Sequence, residues 1–266
     1  MEVRSRAWRS DLGLLELSGS IVEHHPTYVV ARTPANPAFY WGNFLLLKSS
    51  PSRRDMPHWL DVFAETFPEA KHVSIGVDDP TGRRADLQAL ADEGFEIEAA
   101  TVLTTDEVHA PPHPNTSATI RFLESDDDWK QRVNLSLACY SEDPSGGGEE
   151  FTSRRAAAER RLVEGGAGAW LGAFEAGTML SGLGIFRAGD QLARYQDVET
   201  HPAARGNGLA GTLVHAAAQH ARDRLGARTM VIVADPDYHA IRIYRGVGFR
   251  DSETQLQALR SPSPGS

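Results

Sequence analysis

The chain has 266 residues, 41% hydrophobic and 24% charged, the balance of a globular protein of one large domain or two. A net charge of −9 argues against broad nucleic-acid binding, which needs cationic surface to meet phosphates, and suits a cationic or amine partner better. No apolar run nears the roughly 20 residues that span a bilayer, the opening Met1–Trp8 lacks a signal peptide's apolar core, and the single cysteine, Cys139, has no internal partner, so a reduced cytoplasmic setting is expected.

In chain order, the first half reads as strands alternating with helices. Tyr28–Thr33 and Trp41–Lys48 have strand character, the second through Phe44-Leu45-Leu46-Leu47. Pro57–Phe67 puts Leu60, Phe63, Ala64 and Phe67 on one helical face. His72–Val77 reads as a strand. Arg84–Glu93 reads as a helix ended by Gly94, and Phe95–Thr104 as a closing strand. The prolines of Val108–Ser117 disfavour helix and mark a linker. The expected organisation is a domain over 1–107, a linker over 108–117, a domain over 118–260 and a disordered tail over 261–266.

Beyond the linker, Thr119–Leu123 is a short strand. Ser125 can cap a helix through Asp126–Cys139, whose acidic first turn suits the helix's positive end. A glycine-rich loop at Ser145–Gly148 precedes a helix over about 152–164. Three strands follow, Ala169–Glu175, Met179–Arg187 and Leu192–Thr200, with hairpin-type turns at Ala176-Gly177 and Ala188-Gly189-Asp190. A long helix from Gly208 to Leu225 aligns Leu213, Ala217, His220 and Ala221, and Gly226 ends it. The apolar Thr229–Ala234 implies a strand buried on both faces. A short helix, His239–Gly246, and a last strand complete an α/β (α+β) chain with two mixed β-sheets flanked by helices.

The chemistry concentrates at Arg205-Gly206-Asn207-Gly208-Leu209-Ala210, between a strand and the long helix. Its glycines allow a tight turn and close approach to a ligand. The first amides of the helix have no internal partners and, with the helix dipole, suit an anion such as a pyrophosphate, to which Arg205 adds charge. The same spacing has a bland reading, a glycine-softened turn with no ligand. Gly206, Gly208 and Gly211 also spell G-x-G-x-x-G, with Asp235 ending a later strand. A dinucleotide fold does not follow, because three meandering strands come first and too few residues follow Asp235 for further crossovers.

The run from Val198 to Ala210 resembles the signature of the GNAT acetyltransferases, with Arg205, Gly208 and Ala210 at the signature positions. Asp237-Tyr238-His239-Ala240-Ile241-Arg242-Ile243-Tyr244 followed by Gly248-Phe249 resembles that family's second element, with Asp237 in place of Asn and Ile243 in place of Leu. The resemblance covers about residues 118–260. It implies acetyl-CoA as co-substrate and transfer of its acetyl group to a primary amine by direct attack on the thioester. Backbone groups of Val198, Glu199 and Thr200 would pair with the pantetheine arm where two strands splay. Amides of Arg205, Gly206, Asn207, Gly208, Leu209 and Ala210 would hold the pyrophosphate, with Asp237 as a further cofactor contact. Tyr244 would protonate the departing thiolate, or be a helix tyrosine packed on the sheet. Glu199 is the candidate base, or a solvated strand carboxylate. Asp197, on the same face by strand alternation, is the second choice.

Other features read more plainly. His215 and His220, His24-His25 and His113 lack metal-ligand spacing, and no metal is expected. Cys139 reads as a buried structural thiol. Arg154-Arg155 and Arg160-Arg161 read as a solvated helix face, or as contacts to the CoA ribose phosphate. The first half echoes the order of the second, with Gly94-Phe95 standing where Gly248-Phe249 stands, but Lys48–Arg54 replaces the glycine loop. It resembles a degenerate GNAT repeat of the tandem type, or is an unrelated α/β domain. The small-molecule amine acceptor is not identified by any motif, nucleic acid and membrane are not expected partners, and oligomerisation stays open. The alternative function is an inactive acyl-CoA-binding regulatory or scaffold protein.

Overall fold

A computed structural model describes residues 1–37, 39–140, 148–189 and 191–261. Most of the glycine-rich loop at 145–148, the turn residue Asp190 and the tail from 262 therefore lie outside the described residues. The chain divides into two compact units. The first comprises Met1–Val102, Val233–Asp237 and the segment from Asp251, and the second comprises Leu103–Ile232 and Tyr238–Arg250.

The first unit begins with a helix that the sequence reading did not anticipate, α1 (Arg6–Leu17). Ser5 caps it, accepting from the Trp8 amide at 3.3 Å, and the buried Asp78 carboxylate accepts the amides of Arg4 and Ser5 at 2.8 and 2.9 Å. Trp8, Leu12 and Leu15, spaced i, i+4, i+7, are the inward side chains. Trp8 is 1% exposed and its indole N–H donates to the Val77 carbonyl at 3.0 Å. The hairpin β1 (Ile21–His24) and β2 (Tyr28–Arg32) continues antiparallel into β3 (Phe44–Leu47), a fully buried strand. Helix α2 (Met56–Thr66) then crosses to β4 (Val73–Val77), which runs parallel to β3. A 3-10 turn and the short helix α3 (Gln88–Asp92) lead to β5 (Glu96–Thr105).

In the second unit, β6 (Thr119–Phe122) precedes α4 (Asp126–Tyr140) and α5 (Glu149–Glu164). The Ser125 hydroxyl accepts the Asp128 amide at 3.1 Å, as its position before an acidic first turn implies. The meander β7 (Gly168–Glu175), β8 (Thr178–Arg187) and β9 (Leu192–Thr200) is antiparallel, and β6 extends it at the β7 edge. Helix α6 (Leu209–Leu225) buries Leu209, Leu213, Val214, Ala217 and Ala221, while His220 is only half-buried and meets Phe122. Gly226, in the left-handed region, ends it. Strand β10 (Thr229–Ala234) runs parallel to β9, and α7 (Ile241–Gly246) follows. The last strand, β11 (Arg250–Arg260), pairs antiparallel with β4, so it belongs to the first unit from Asp251 and not to a continuous 118–260 domain. The strand orders are β1-β2-β3-β4-β11-β5 in the first unit and β10-β9-β8-β7-β6 in the second. Each set of strands combines parallel and antiparallel pairing and is flanked by helices. No helix among the described residues is long and apolar enough to cross a membrane.

Residues 108–117 are non-helical, as their prolines require, yet they are packed within the second unit. The His109 amide donates to Val247 O at 2.8 Å, the Asn115 amide to the Thr212 hydroxyl at 2.9 Å, and the Asn115 side chain to Asn207 O at 2.9 Å. Gly208, at φ +73°, lets this segment approach. A Cβ there would clash with the His113 carbonyl oxygen and lie 3.1 Å from the Asn115 nitrogen. Gly206, at φ +82°, has open space where its Cβ would be. Gly206→Ala should therefore lose only the conformational cost of a left-handed alanine, about 1–2 kcal/mol. Gly208→Ala should lose that and more, seen as a lower urea midpoint and a Tm below that of Gly206→Ala. Equal losses would show that the 108–117 segment does not press on Gly208.

Candidate active site

Strand β9 positions most of the expected groups. Its pairing with β10 runs over three residues, Leu192–Arg194 against Thr229–Val231. Among the described residues, Tyr195–Thr200 has no ladder partner on that side, so backbone groups at Val198, Glu199 and Thr200 lie along an open strand edge. On the other side the ladder with β8 is irregular. Gly182 faces Glu199 and Gly184 faces Gln196, so one β8 residue opposes two on β9, a β-bulge. Asp197 sits in the bulge at φ +44°. Aspartate tolerates this left-handed conformation better than most side chains, and such backbone is held only where its surroundings over-determine it.

The restraint comes from two guanidinium groups. Arg132 of α4, 1% exposed, places Nη2 2.8 Å from Asp197 Oδ2 and 2.8 Å from Glu159 Oε2. Its Nη1 donates to the Ser136 hydroxyl at 3.0 Å, and its guanidinium lies 4.6 Å from the Trp170 ring centroid. Arg155 of α5 donates to Asp197 Oδ1 at 2.5 Å and reaches Glu159 Oε1 at 3.2 Å. Arg155 is thus turned inward, which corrects its reading as part of a solvated face. Arg154 and Arg160 do pair along the helix surface, with Glu150 and with Asp126 and Glu164. The bulge also alters the expected alternation of β9. Asp197 and Glu199 nonetheless both reach the α4–α5 side.

Glu199 accepts the Ser136 hydroxyl at 2.5 Å. Burial, then the neighbouring Asp197 carboxylate, push its carboxyl up to about 7, against the pull of Ser136 and the two guanidiniums. It is therefore poised between proton acceptor and donor near neutral pH, unlike a solvated strand carboxylate. Three and four residues further along the same helix as Ser136, Cys139 and Tyr140 flank the same space. Burial and then Glu199 raise the Cys139 thiol to about 11, so it stays protonated, and its Sγ lies 3.5 Å from Thr200 O. Burial and then Asp197 raise the Tyr140 phenol above its usual range.

Past Thr200, a 3-10 turn at Pro202–Ala204 leads into the glycine loop. Arg205 Nε donates to Thr200 O at 3.3 Å, and the Asn207 side-chain Nδ2 to Ala204 O at 3.2 Å, which fold the loop back on the end of β9. Gly206 and Asn207 are exposed, whereas Leu209 is 2% exposed and anchors the helix to the sheet. Helix α6 has Gly208 as its N-cap with no side-chain cap, and its first i to i−4 bond is Thr212 N to Gly208 O at 3.2 Å. The amides of Leu209, Ala210 and Gly211 thus remain without intrahelical partners, the geometry an oxyanion needs. Tyr244, on α7, is 5% exposed and meets Phe249 edge-on at 6.5 Å. Burial raises its phenol above the usual range, keeping the proton on oxygen. Asp237 is exposed, with its amide on the Asp235 carboxylate at 2.8 Å, and clusters with the first unit.

The sequence reading missed Arg132, Ser136 and Glu159, and it named Arg155 only as a solvated residue or a contact to the CoA ribose phosphate. The signal was present as two i, i+4 polar pairs, Arg132/Ser136 and Arg155/Glu159, each in line with buried positions such as Trp129 and Ala156.

Residues 129–249 match the model of the acetyltransferase (GNAT) family. No curated protein matches the sequence. Among solved structures, the chain is similar to a functionally unknown conserved protein from Staphylococcus epidermidis, with TM-score 0.71 and 13% identity over 91% of this chain and 93% of that one. It is also similar to a GCN5-related N-acetyltransferase from Kribbella flavida, with TM-score 0.70 and 16% identity over 97% and 95%. A tandem GNAT protein from the clavulanic acid biosynthesis pathway gives TM-score 0.57 and 13% identity over 97% and 95%. The matched span holds the bulged strand, the glycine loop and Tyr244, and the chain therefore carries a GNAT acetyltransferase domain, an acyl-transfer fold, over residues 129–249.

Proposed function

We propose that the second unit transfers an acetyl group from acetyl-CoA to a primary amine of a small-molecule acceptor by direct attack on the thioester. The observation that carries this is Glu199, a partly buried carboxyl held by Ser136, on the segment of β9 that is bulged against β8 and open on its other edge, one residue before the strand ends ahead of the turn into the glycine loop. Amides of Gly206–Ala210 would receive the pyrophosphate at the uncapped start of α6, with Arg205 adding positive charge. Backbone groups of Val198–Thr200 would pair with the pantetheine arm along the open edge. Glu199 would take a proton from the ammonium form of the acceptor, directly or through water, since only the neutral amine attacks. As the thioester carbon–sulfur bond breaks, Tyr244 would give its proton to the leaving thiolate. Asp237 is not needed in this scheme.

The first unit shares the local plan of the second. Antiparallel strands lead to a parallel pair joined by a helix, and the glycine before Phe95, like the one before Phe249, has positive φ. Lys48–Asp55, between β3 and α2, stands where a glycine loop would be needed. We read this unit as a GNAT-like repeat without a pyrophosphate cradle, in keeping with the likeness to a tandem GNAT protein.

Thiol release from acetyl-CoA across a panel of amines tests the reaction. Tight CoA binding without turnover on any acceptor would instead make the protein an acyl-CoA sensor, and thermal stabilisation by NAD but not CoA would sink the acyl-CoA site altogether. The raised Glu199 pKa means that the base form is gained as pH rises, so kcat/KM should climb with a midpoint near 7 and fall about tenfold per pH unit well below it. Glu199→Gln should remove that acidic limb and lower kcat/KM by roughly 10²–10⁴-fold. Tyr244→Phe should lower kcat by roughly 10²-fold or more while leaving the KM for acetyl-CoA nearly unchanged, because the proton is given only as the thiolate departs.

A further inference from the structure

The charges around Glu199 do not balance by accident of surface exposure. Arg132 and Arg155 come from two different helices, and both converge on one residue of β9, Asp197. Each guanidinium also reaches Glu159, so Asp197 and Glu159 are each bracketed by the same two arginines. Arg132 is in addition the link to Glu199, because it donates to Ser136 and Ser136 donates to Glu199. The convergence point is the residue whose left-handed backbone makes the bulge. Had Asp197 been in ordinary extended conformation, the ladder with β8 would run in regular register, and Glu199 would move by one position relative to Gly182 and Ser136.

We infer that Asp197, clamped by Arg132 and Arg155, is a positioning residue for the acyl-transfer reaction: the clamp holds the β9 bulge that presents Glu199 to Ser136 and sets the charge that Glu199 feels. This deepens the assignment of Glu199 as base and rests on it. The groups facing Glu199 are Arg132, Ser136, Cys139 and Tyr140 from α4, Arg155 from α5, Asp197 on its own strand, and Arg205 beyond it near Cys139, with Glu159 of α5 behind the two clamp arginines. The two cations of the clamp are met by Asp197 and by Glu159, whose own carboxyl burial raises to about 7 against the pull of Arg132 and Arg155. Glu199 is left as the carboxyl with a hydroxyl partner, and its affinity for a proton follows the balance of the clamp. Removing a clamp anion should make Glu199 a weaker base, and removing a clamp cation should make it a stronger one that is protonated to higher pH.

The test uses the full chain and two readouts, the pH profile of kcat/KM and the titration of the Glu199 side-chain carboxyl by carbon-13 NMR in the free protein. The Glu199 resonance is identified by its loss in Glu199→Gln. Asp197→Asn keeps the size and the left-handed tolerance of the residue while removing its charge, and should move both midpoints down by roughly one pH unit. Arg155→Met should move both midpoints up, and Arg155→Lys should return them toward wild type. Opposite displacements from opposite charge changes are not produced by loose packing, which would lower kcat and leave the midpoints in place. Unmoved midpoints in folded Asp197→Asn and Arg155→Met would overturn the inference while leaving Glu199 as base. Should Glu199→Gln retain the wild-type rate and acidic limb, the base assignment would fall. NMR midpoints that still moved in opposite directions would then show a clamp acting on a carboxyl that does no chemistry, and the positioning role would be withdrawn.

Discussion

The second unit depends on a bulge in β9 being held open at a fixed place. A strand in mid-sheet is ordinarily paired on both edges, and a paired edge has no backbone groups left for a ligand. Here β9 keeps its ladder with β8, slips by one residue at Asp197, and leaves Tyr195–Thr200 without a ladder partner on the β10 side among the described residues. The left-handed backbone of Asp197 would relax without restraint, and its restraint is electrostatic. Two arginines from neighbouring helices spend their charge on it in a poorly hydrated space lined by Trp170. Such a cluster costs desolvation and rewards geometry, since removing one partner strands the other charge, a loss of about 3–5 kcal/mol in comparable buried pairs.

The reactivity assigned to Glu199 follows from the same arrangement. A carboxyl on a solvated strand would be ionised at neutral pH and too weak a base to take a proton readily from an ammonium group. Burial beside Asp197 raises it, while Ser136 and the guanidiniums keep it from becoming a permanently protonated acid. The nearby thiol and phenols are raised as well, by burial, but from ordinary values already above neutrality. Cys139, Tyr140 and Tyr244 are held protonated by burial, so Glu199 alone among these side chains changes charge close to neutrality.

The glycine loop is constrained from outside as well as by any ligand. Gly208 is required to be glycine by the backbone of the 108–117 segment, which Asn115 ties to Asn207 and Thr212. A glycine in an anion-binding signature can therefore reflect a protein contact as much as a phosphate contact. In this chain Gly206 faces open space, and Gly208, two residues on, faces the His113 carbonyl.

The amino-acid sequence by itself determined the elements whose causes are local. Strand β10 ended where its apolar run ended, β9 ended just ahead of Pro202, α6 stopped at Gly226, Ser125 capped α4, and the Arg205–Ala210 and Tyr244…Phe249 runs pointed to the right fold family because their signal is a short-range spacing. Tertiary structure decided the rest. Helix α1 was missed because its stripe of Trp8, Leu12 and Leu15 is short and its cap is completed by Asp78, far along the chain. Strand β11 joined the first unit because its partner is β4, a pairing with no local signature. Arg155 looked like a surface residue because charge in a helix reads as solvated until a buried carboxylate is brought to meet it. Which carboxylate could serve as a base was likewise undecidable along the chain, since Asp197 and Glu199 differ not in type but in the partners that folding supplies.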